Sequence, residues 1–302
     1  MTNRSTHTDG FTLIEIVMVI ALVAILGAMS ASFIRWPMES YRDTVVRADL
    51  VESANLALRR IVRDVTVALP NSLRVANAAP RHSLEVLHTI DGGRYRRGTS
   101  AVVNDPDQFL SFGMADDSFN LLGTFSAIAP GAQPAGTRIA IYTTDNDALY
   151  ADAVAADATF PADTSGVVTS SAGTVTLADD ATTPTTETRI SLVPAHTFAE
   201  ASPEQRLFVV DYSLSYQCDT TTGVLTRYQA YAVTAAQPQN PAAAPLNAAA
   251  RTSVMATNLS ACEFVYEQGS TERSGLLTIV LQVASSGDSV RLMRQVHVDN
   301  TP

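Results

Sequence analysis

An uninterrupted apolar segment close to the N-terminus sets the strongest limit on how this chain can fold. The segment covers residues 11–34, and no charged residue lies between Ile16 and Ile34. Its 24 residues exceed the ~20 that an α-helix needs to cross the hydrocarbon core of a bilayer. The sequence therefore predicts a membrane-spanning helix, with a short segment on one side and a long domain on the other.

One acidic residue, Glu15, lies inside this apolar segment. A carboxylate at the bilayer centre costs about 2.5–3.5 kcal/mol or more unless it has a partner. The next basic residue on the C-terminal side is Arg35, so the segment itself offers no partner. Another chain could supply one, and cleavage just before Phe11 would create a positive amine four residues from Glu15.

Three interpretations fit this N-terminus. A secretory signal peptide would be cleaved after a small-x-small site such as Ala28-Met29-Ser30, whereas a plain membrane anchor would stay whole. The third interpretation is a prepilin leader, because residues 10–15 (GFTLIE) resemble the signature of type IV pilins and type II secretion pseudopilins. This third interpretation is favoured, because the motif combines a small residue, an aromatic residue and an acid directly before an apolar helix.

The resemblance implies a role for each residue of the motif. Residues 1–10 would form a leader that a prepilin peptidase removes after Gly10, and Phe11 would become the N-methylated first residue. Glu15 would pair with the N-terminal amine of a neighbouring subunit during assembly. The implied partners are that peptidase, other pilins or pseudopilins, an inner-membrane assembly platform and membrane lipid. The implied location is the inner membrane, with the head in the periplasm, and later the assembled pilus at the cell surface.

The residues after the apolar segment predict a second, amphipathic helix. The dipeptide Trp36-Pro37 is expected to interrupt or kink the first helix, because a residue before proline avoids the α region. Over residues 40–69 apolar residues recur at steps of three and four. Arg60 and Asp64, four residues apart, predict an ion pair on a solvated face. We therefore expect a transmembrane helix over 11–35 and an amphipathic helix over 36–70.

Apolar residues alternate with polar ones from about residue 83, which predicts β-strands. The clearest strand covers residues 206–218, with an apolar face for the core and an opposite face, including Ser213, that is expected to stay wet. Residues 109–112 predict a short strand. The tripeptide Asp91-Gly92-Gly93 and residues 285–288 predict turns.

Two stretches of low complexity break this alternation. Residues 151–188 are rich in Ala, Thr, Asp and Ser, and residues 235–250 hold eight Ala and three Pro. Both are predicted to be surface insertions or loops. The expected fold class is α+β, in which a long N-terminal helix packs on an antiparallel β-sheet head over residues 71–302. This is the pilin-like plan that the resemblance implies.

The two cysteines, Cys218 and Cys262, both fall on apolar faces of predicted strands. A disulfide between them would close a 45-residue loop and contribute about 4 kcal/mol in the chain-entropy model. Two reduced, buried thiols are the alternative. Export to an oxidising compartment favours the disulfide.

Searches for catalytic and metal-binding patterns find little. The five histidines lack metal-ligand spacing, and no nucleophile elbow, phosphate-binding loop or dinucleotide motif is present. Residues 145–147 and the group 104, 105 and 107 offer oxygen ligands for calcium, but such residues are common in turns. We therefore predict no enzyme activity, no metal and no cofactor.

The charge of the chain argues against a general nucleic-acid binder. The formal net charge is −10, and all 20 basic residues are Arg. One basic cluster, Arg94, Arg96 and Arg97 around a tyrosine, is a candidate for binding DNA, polysaccharide or an acidic partner. A solvated arm, or pairing with the acidic head, is the simpler interpretation.

The size of the head suggests how the protein is used. The predicted head, residues 71–302, is large beside the heads of typical major pilins. A head of this size is hard to repeat densely along a filament. The expected function is therefore a minor pilin-like subunit, incorporated in low copy as an initiator or tip subunit. Residues 44–75, 91–97 and 192–219 resemble minor biogenesis subunits of mannose-sensitive haemagglutinin (MSHA) type IV pili. The alternatives are a J-type minor pseudopilin of type II secretion and a pilus-tip adhesin or DNA-uptake subunit.

Overall fold

The structure is a computed structural model that describes residues 10–98, 108–180, 186–269, 274–285 and 287–302, without the side chains of 31–40 and 42–43. The chain divides into two units, Met1–Asp49 and Leu50–Pro302. The first helix, α1 (Leu13–Thr66), has 54 residues and contributes to both units. A second helix, α2 (Asn146–Thr159), lies in the second unit. The described strands are β1 (Arg74–Ala78), β2 (Arg81–Arg94), β3 (Asp116–Leu121), β4 (Gly131–Ala132), β5 (Arg138–Ala140), β6 (Thr164–Ser165), β7 (Thr174–Asp180), β8 (Glu187–Thr197), β9 (Arg206–Asp219), β10 (Val224–Gln229), β11 (Arg251–Ala256), β12 (Leu259–Glu267), β13 (Gly275–Ser285) and β14 (Asp288–Val298).

Helix α1 differs from the prediction in one respect. The expected interruption at Trp36-Pro37 is wrong, because the helix continues through both residues. A proline removes one backbone hydrogen bond, but the helix-favouring residues on either side stabilise the helix enough for it to continue.

The described residues of the head form three sheets. The first has the order β1-β2-β9-β10-β11, with β5 also paired to β9, and all its pairs are antiparallel. The second sheet, β12-β13-β14, is antiparallel as well. The third has the order β3-β8-β7-β4, and the short β6 pairs with β8 in parallel. The predicted α+β class is confirmed.

The main core lies where the C-terminal part of α1 meets the first and second sheets. Its helix side chains, at steps of three and four, are Ala54, Ala57, Leu58, Ile61 and Val65. They pack with inward residues of β2, β9 and all three strands of the second sheet. Burying an aliphatic side chain as large as Ile61 contributes about 1.5–3 kcal/mol, so this apolar stripe holds the helix on the sheets.

A disulfide joins the first sheet to the second. Cys218 of β9 and Cys262 of β12 are bonded, with Cα atoms 6.6 Å apart, and both are buried in the main core. The disulfide that the sequence favoured is therefore present in the structure.

The stretch 151–188 is not a surface loop as predicted. It contains most of α2, together with β6 and β7. Ala153 and Ala156 are buried because their small side chains let α2 pack closely, and Val175 and Leu177 point into the core of the third sheet. The alanine-rich composition predicted a loop, but in the structure these alanines form part of helix α2. Residues 181–185 lie outside the described residues.

The glycine pair at 92–93 also has a different role from the predicted turn. Both residues lie inside β2, opposite Phe208 and Leu207 of β9. A Cβ on Gly93 would lie 2.5 Å from Leu121 Cδ1, and a Cβ on Gly92 would lie 3.1 Å from the carbonyl oxygen of Leu207. The glycines therefore permit close packing inside a long strand.

Two further predictions about strands are corrected. Residues 109–112 form no strand, and Phe112 makes only an isolated bridge to Phe198. The polar face of β9 is not wet from Ser213 onward. Ser213, Ser215 and Gln217 are at most 3% exposed, because the segment that follows β10 covers them. That segment runs on through residues 235–250, which form a loop with one 3₁₀ turn, Leu246–Ala248.

Candidate functional site

The proposed cleavage motif lies just ahead of α1. Gly10, Phe11 and Thr12 are not helical, and the helix begins at Leu13. The Thr12 side-chain oxygen accepts a hydrogen bond from the Glu15 backbone N–H at 3.3 Å, so Thr12 caps the helix. Phe11 is 77% exposed, and a Cβ on Gly10 would meet nothing within 4 Å. The bond between Gly10 and Phe11 is therefore accessible to a peptidase.

Glu15 lies in the first turn of α1, near the positive end of the helix dipole. Its side chain is exposed, and it forms no salt bridge with any described residue. The helix around it is strongly apolar, with a mean hydropathy of 2.6 over Leu13–Ser30. Every side chain of that span is exposed within the chain. This surface needs either lipid or other apolar helices, and the carboxylate needs a positive partner from outside the described residues.

A buried ionic group fixes the other end of α1 to the first sheet. Asp64 is 3% exposed, and its carboxylate accepts hydrogen bonds from the Tyr216 hydroxyl at 2.6 Å and from Arg227 Nε at 2.7 Å. Burial, reinforced by the neighbouring Asp64 carboxylate, raises the pKa of Tyr216 well above its ordinary value. Tyr216 therefore stays protonated and donates to Asp64. The group fixes the part of α1 after Leu50 on the first sheet.

The sequence pattern suggested only part of this group. It predicted the pair of Arg60 and Asp64, which is present at 3.2 Å, but Arg60 is 41% exposed. The principal partner of Asp64 is Arg227, which lies far away in the sequence. One signal pointed to burial: Asp64 follows Ile61 by three residues and Ala57 by seven, which places it beside the apolar stripe of the helix.

A second buried polar network lies on the outer side of the first sheet. The Glu85 carboxylate accepts hydrogen bonds from Arg74 Nε at 2.7 Å and from the Tyr231 hydroxyl at 2.8 Å. Arg74 also donates to the carbonyl oxygens of Thr234 and Ala235, which holds the covering segment in place. Burial raises the pKa of Glu85, although the Arg74 charge opposes that shift. Glu85 is 0% exposed, so this network is structural.

The histidines near Glu85 do not form a cluster with it. His82 Nδ1 donates to Asn77 Oδ1 at 3.0 Å, whereas His88 Nδ1 lies 2.7 Å from Asp211 Oδ1 and stacks on Tyr212. The two rings therefore have separate partners.

The arginine cluster that was a candidate ligand site is divided in the structure. Arg94 forms an exposed ion pair with Glu204 at 3.0 Å. Arg96 binds the buried Glu187 carboxylate, which is 2% exposed. Arg97 is exposed. Burial raises the pKa of Tyr95, and the hydrogen bond to the Ser202 backbone and the Arg97 charge oppose that rise. The three side chains thus do not offer one free basic surface, because two of them are engaged within the head.

The oxygen-rich turns have structural roles where they are described. Asp145 caps α2 by accepting a hydrogen bond from the Ala148 N–H at 2.9 Å, and Asn146 donates to the Leu73 carbonyl oxygen. Residues 104, 105 and 107 lie outside the described residues. In the part of the chain that the structure describes, no three His, Cys, Asp or Glu side chains are grouped to hold a metal ion.

Comparison with known proteins gives one match. Residues 7–31 match the family described as the prokaryotic N-terminal methylation motif. No curated protein and no solved structure matches the chain significantly. The matched region contains Gly10, Phe11 and Glu15.

The motif and the fold together define the general kind of protein. Through this motif at residues 7–31, the chain is similar to type IV pilin and pseudopilin precursors, which are processed there. Its apolar helix anchors it in the inner membrane, and its head lies in the periplasm. The apolar helix followed by antiparallel sheets is a pilin-like arrangement, and proteins of this kind are structural subunits, not enzymes.

Proposed function

We propose that this chain is a minor pilin-like subunit of a type IV pilus, incorporated in low copy as an initiator or tip subunit. In this proposal the peptidase cuts between Gly10 and Phe11, and Phe11 is N-methylated. The observation that carries the proposal is the Glu15 carboxylate, which lies in an apolar helix and lacks a partner among the described residues.

The physical role of Glu15 follows from the cost of its charge. An unpaired carboxylate in the membrane costs about 2.5–3.5 kcal/mol or more. Docking of the helix against a neighbouring subunit brings that subunit's N-terminal amine to the carboxylate and removes much of the cost. Docking at any other height leaves the carboxylate unpaired. The pair therefore selects the register between subunits as well as stabilising their contact.

The pilus system is also part of the proposal. The resembling stretches 44–75, 91–97 and 192–219 support a role like that of biogenesis protein O of the MSHA pilus. The compact unit Leu50–Pro302 is large for a subunit that repeats along a filament, which supports low copy number. A J-type minor pseudopilin of type II secretion has a similar plan. Deleting the gene should abolish piliation under the proposal, whereas loss of secreted enzymes with normal pili would favour the pseudopilin.

The proposed role of Glu15 is tested by Glu15→Ala in the full chain, expressed in its own host. We expect the variant to insert and be processed normally, while its amount in sheared filaments falls about 10- to 100-fold. The matched control is Glu52→Ala, which removes an exposed carboxylate from the same helix outside the apolar segment. Normal incorporation of Glu15→Ala, or equal loss in both variants, would refute the role.

The cleavage site is tested separately. Gly10→Ala should leave an uncut precursor, detected by its larger mass and by the absence of an N-methylated phenylalanine in the mature polypeptide. Processing at an unchanged rate would contradict the proposed cut. A mature chain beginning near Ser30 would instead indicate a discarded signal peptide.

A further inference from the structure

The outer face of the second sheet arranges its side chains in regular rows. The antiparallel register gives four rows, each with one outward residue from β12, β13 and β14. In order, the rows are Ala261 with Gln282 and Arg291, Glu263 with Val280 and Met293, Val265 with Thr278 and Gln295, and Glu267 with Leu276 and His297. We call these twelve residues the outer face. The alternate side chains of β12 and β13 point into the main core.

Charge on the outer face is separated into two columns. The β12 column carries Glu263 and Glu267, the β14 column carries Arg291 and His297, and the β13 column between them is uncharged. All four charged or titratable residues are exposed, and none has a salt bridge with a described residue. Two strand spacings, ~10 Å, separate the columns. Within one copy, the acidic column therefore cannot pair closely with the basic column.

The shape of the outer face is also uneven. A groove of about 300 Å³ is lined in part by this face, through Ala261, Glu263, Val280, Gln282 and Arg291, and in part by residues beyond it such as Asn77, His82 and Thr220. Met293, two residues after Arg291 on β14, is 63% exposed. The face therefore presents an exposed apolar side chain next to a depression.

We propose that the outer face binds the same face of a second copy of this chain, with a two-fold axis along β13. A rotation of 180° about that axis exchanges the β12 and β14 columns and keeps each row opposite itself. Glu267 then faces the partner's His297. Arg291 lies one row from the partner's Glu263, and Met293 lies over the partner's groove.

The two charge columns favour a two-fold axis along the strands over one that runs across them. A two-fold axis across the strands would place acidic column on acidic column and basic on basic, and like charges repel. The same separation of charge that leaves the side chains unpaired in one copy thus makes two copies complementary. A partner of different sequence would need matching columns, whereas a second copy has them already.

The size of the outer face sets the expected strength. Three strands and four rows give roughly 400 Å² per copy, against roughly 800 Å² per partner in a stable complex. The dimer is therefore weak in free solution. The membrane anchor confines both copies to one plane and raises their effective concentration, so the dimer should form in membranes. The proposal requires only this anchor and is independent of incorporation into a pilus.

Cross-linking in membranes of producing cells tests the geometry. Thr278→Cys lies next to the two-fold axis, and a short bis-maleimide should join two copies of the full chain into a product of twice the monomer mass. The native cysteines are engaged in their disulfide. The matched control is Thr252→Cys, an exposed strand threonine on β11 of the first sheet. Equal yields from both variants, no dimer from Thr278→Cys, or a product with a protein of another mass would overturn the proposal.

Charge exchange tests the pairing in the same assay. Glu267→Arg or His297→Glu alone, in the Thr278→Cys background, should lower the dimer yield about tenfold, since a two-fold dimer carries each change twice. The combined variant restores opposite charges and should return the yield to within about twofold of the starting value. Both sites are exposed, so folding is preserved. Failure of the combined variant to restore the dimer would overturn the proposed register.

Discussion

The two arginines that contact Asp64 should differ sharply in their contribution to stability. Arg227 is 4% exposed and donates from Nε to the carboxylate at 2.7 Å, so Arg227→Ala leaves a buried charge without its main partner. Breaking a buried pair in this way costs about 3–5 kcal/mol. Arg227 Nη2 is buried without a partner among the described residues, which places the expected loss near the lower end of that range. Arg60 is 41% exposed, so Arg60→Ala should cost less than about 1 kcal/mol.

Urea unfolding of the full chain in detergent micelles measures this difference. Near-ultraviolet circular dichroism reports on the buried tyrosines of the head, including Tyr216. The double variant of Arg60 and Arg227 completes a cycle that separates the two contributions. If the two single variants lose similar free energies of unfolding, the carboxylate is not held mainly by the buried arginine, and the reasoning fails.

Three further perturbations have definite expected outcomes. Replacing Cys218 and Cys262 together by Ala should lower the free energy of unfolding by up to about 4 kcal/mol, since the disulfide closes a long loop; reductant should affect only the parent, and an equal shift in the variant would contradict this. The pKa of Asp91 is lowered: burial tends to raise it, but hydrogen bonds from backbone N–H groups, led by that of Ala127, outweigh burial. The resulting stability is present above the unfolded pKa of about 3.9 and is lost as pH falls through the folded pKa. Asp91→Asn should therefore lower Tm at pH 6 and reduce the fall of Tm with decreasing pH. An unchanged pH dependence of Tm would refute the role of Asp91. Ala230 has a φ of +56° and is exposed, so Ala230→Gly should stabilise the head by about 0.5–1 kcal/mol in urea unfolding, whereas a loss would show that the backbone there is not strained.

Local patterns in the sequence were sufficient for several features. A long apolar run with one acid predicts the N-terminal part of α1, because hydropathy and helix geometry act over neighbouring residues. Strict alternation predicts β9, β12 and β13, because side chains along a strand point to opposite faces. The positions of Cys218 and Cys262 on apolar faces made their pairing reasonable before the strands were placed.

Features that depend on residues distant in the sequence were decided by the tertiary structure. Gly92 and Gly93 have the composition of a turn, yet Leu121 and β9 pack so closely on them that a strand results. The sequence predicted a solvated Ser213, but the segment after β10 buries this residue in the structure. In the same way, the sequence left Arg96 as a ligand-binding residue, a solvated arm or a partner of the acidic head, and the fold supplied Glu187 as its partner.

The division has one physical cause. Membrane insertion, helix capping and strand alternation are determined by groups within a few residues of one another, so the sequence by itself determined the pilin-like N-terminus with Glu15 in its apolar helix. Which carboxylate meets which guanidinium, and which polar face is covered, depends on strands that pair across more than 100 residues, such as β2 with β9. Those contacts exist only after the chain has folded, and the tertiary structure alone decided them.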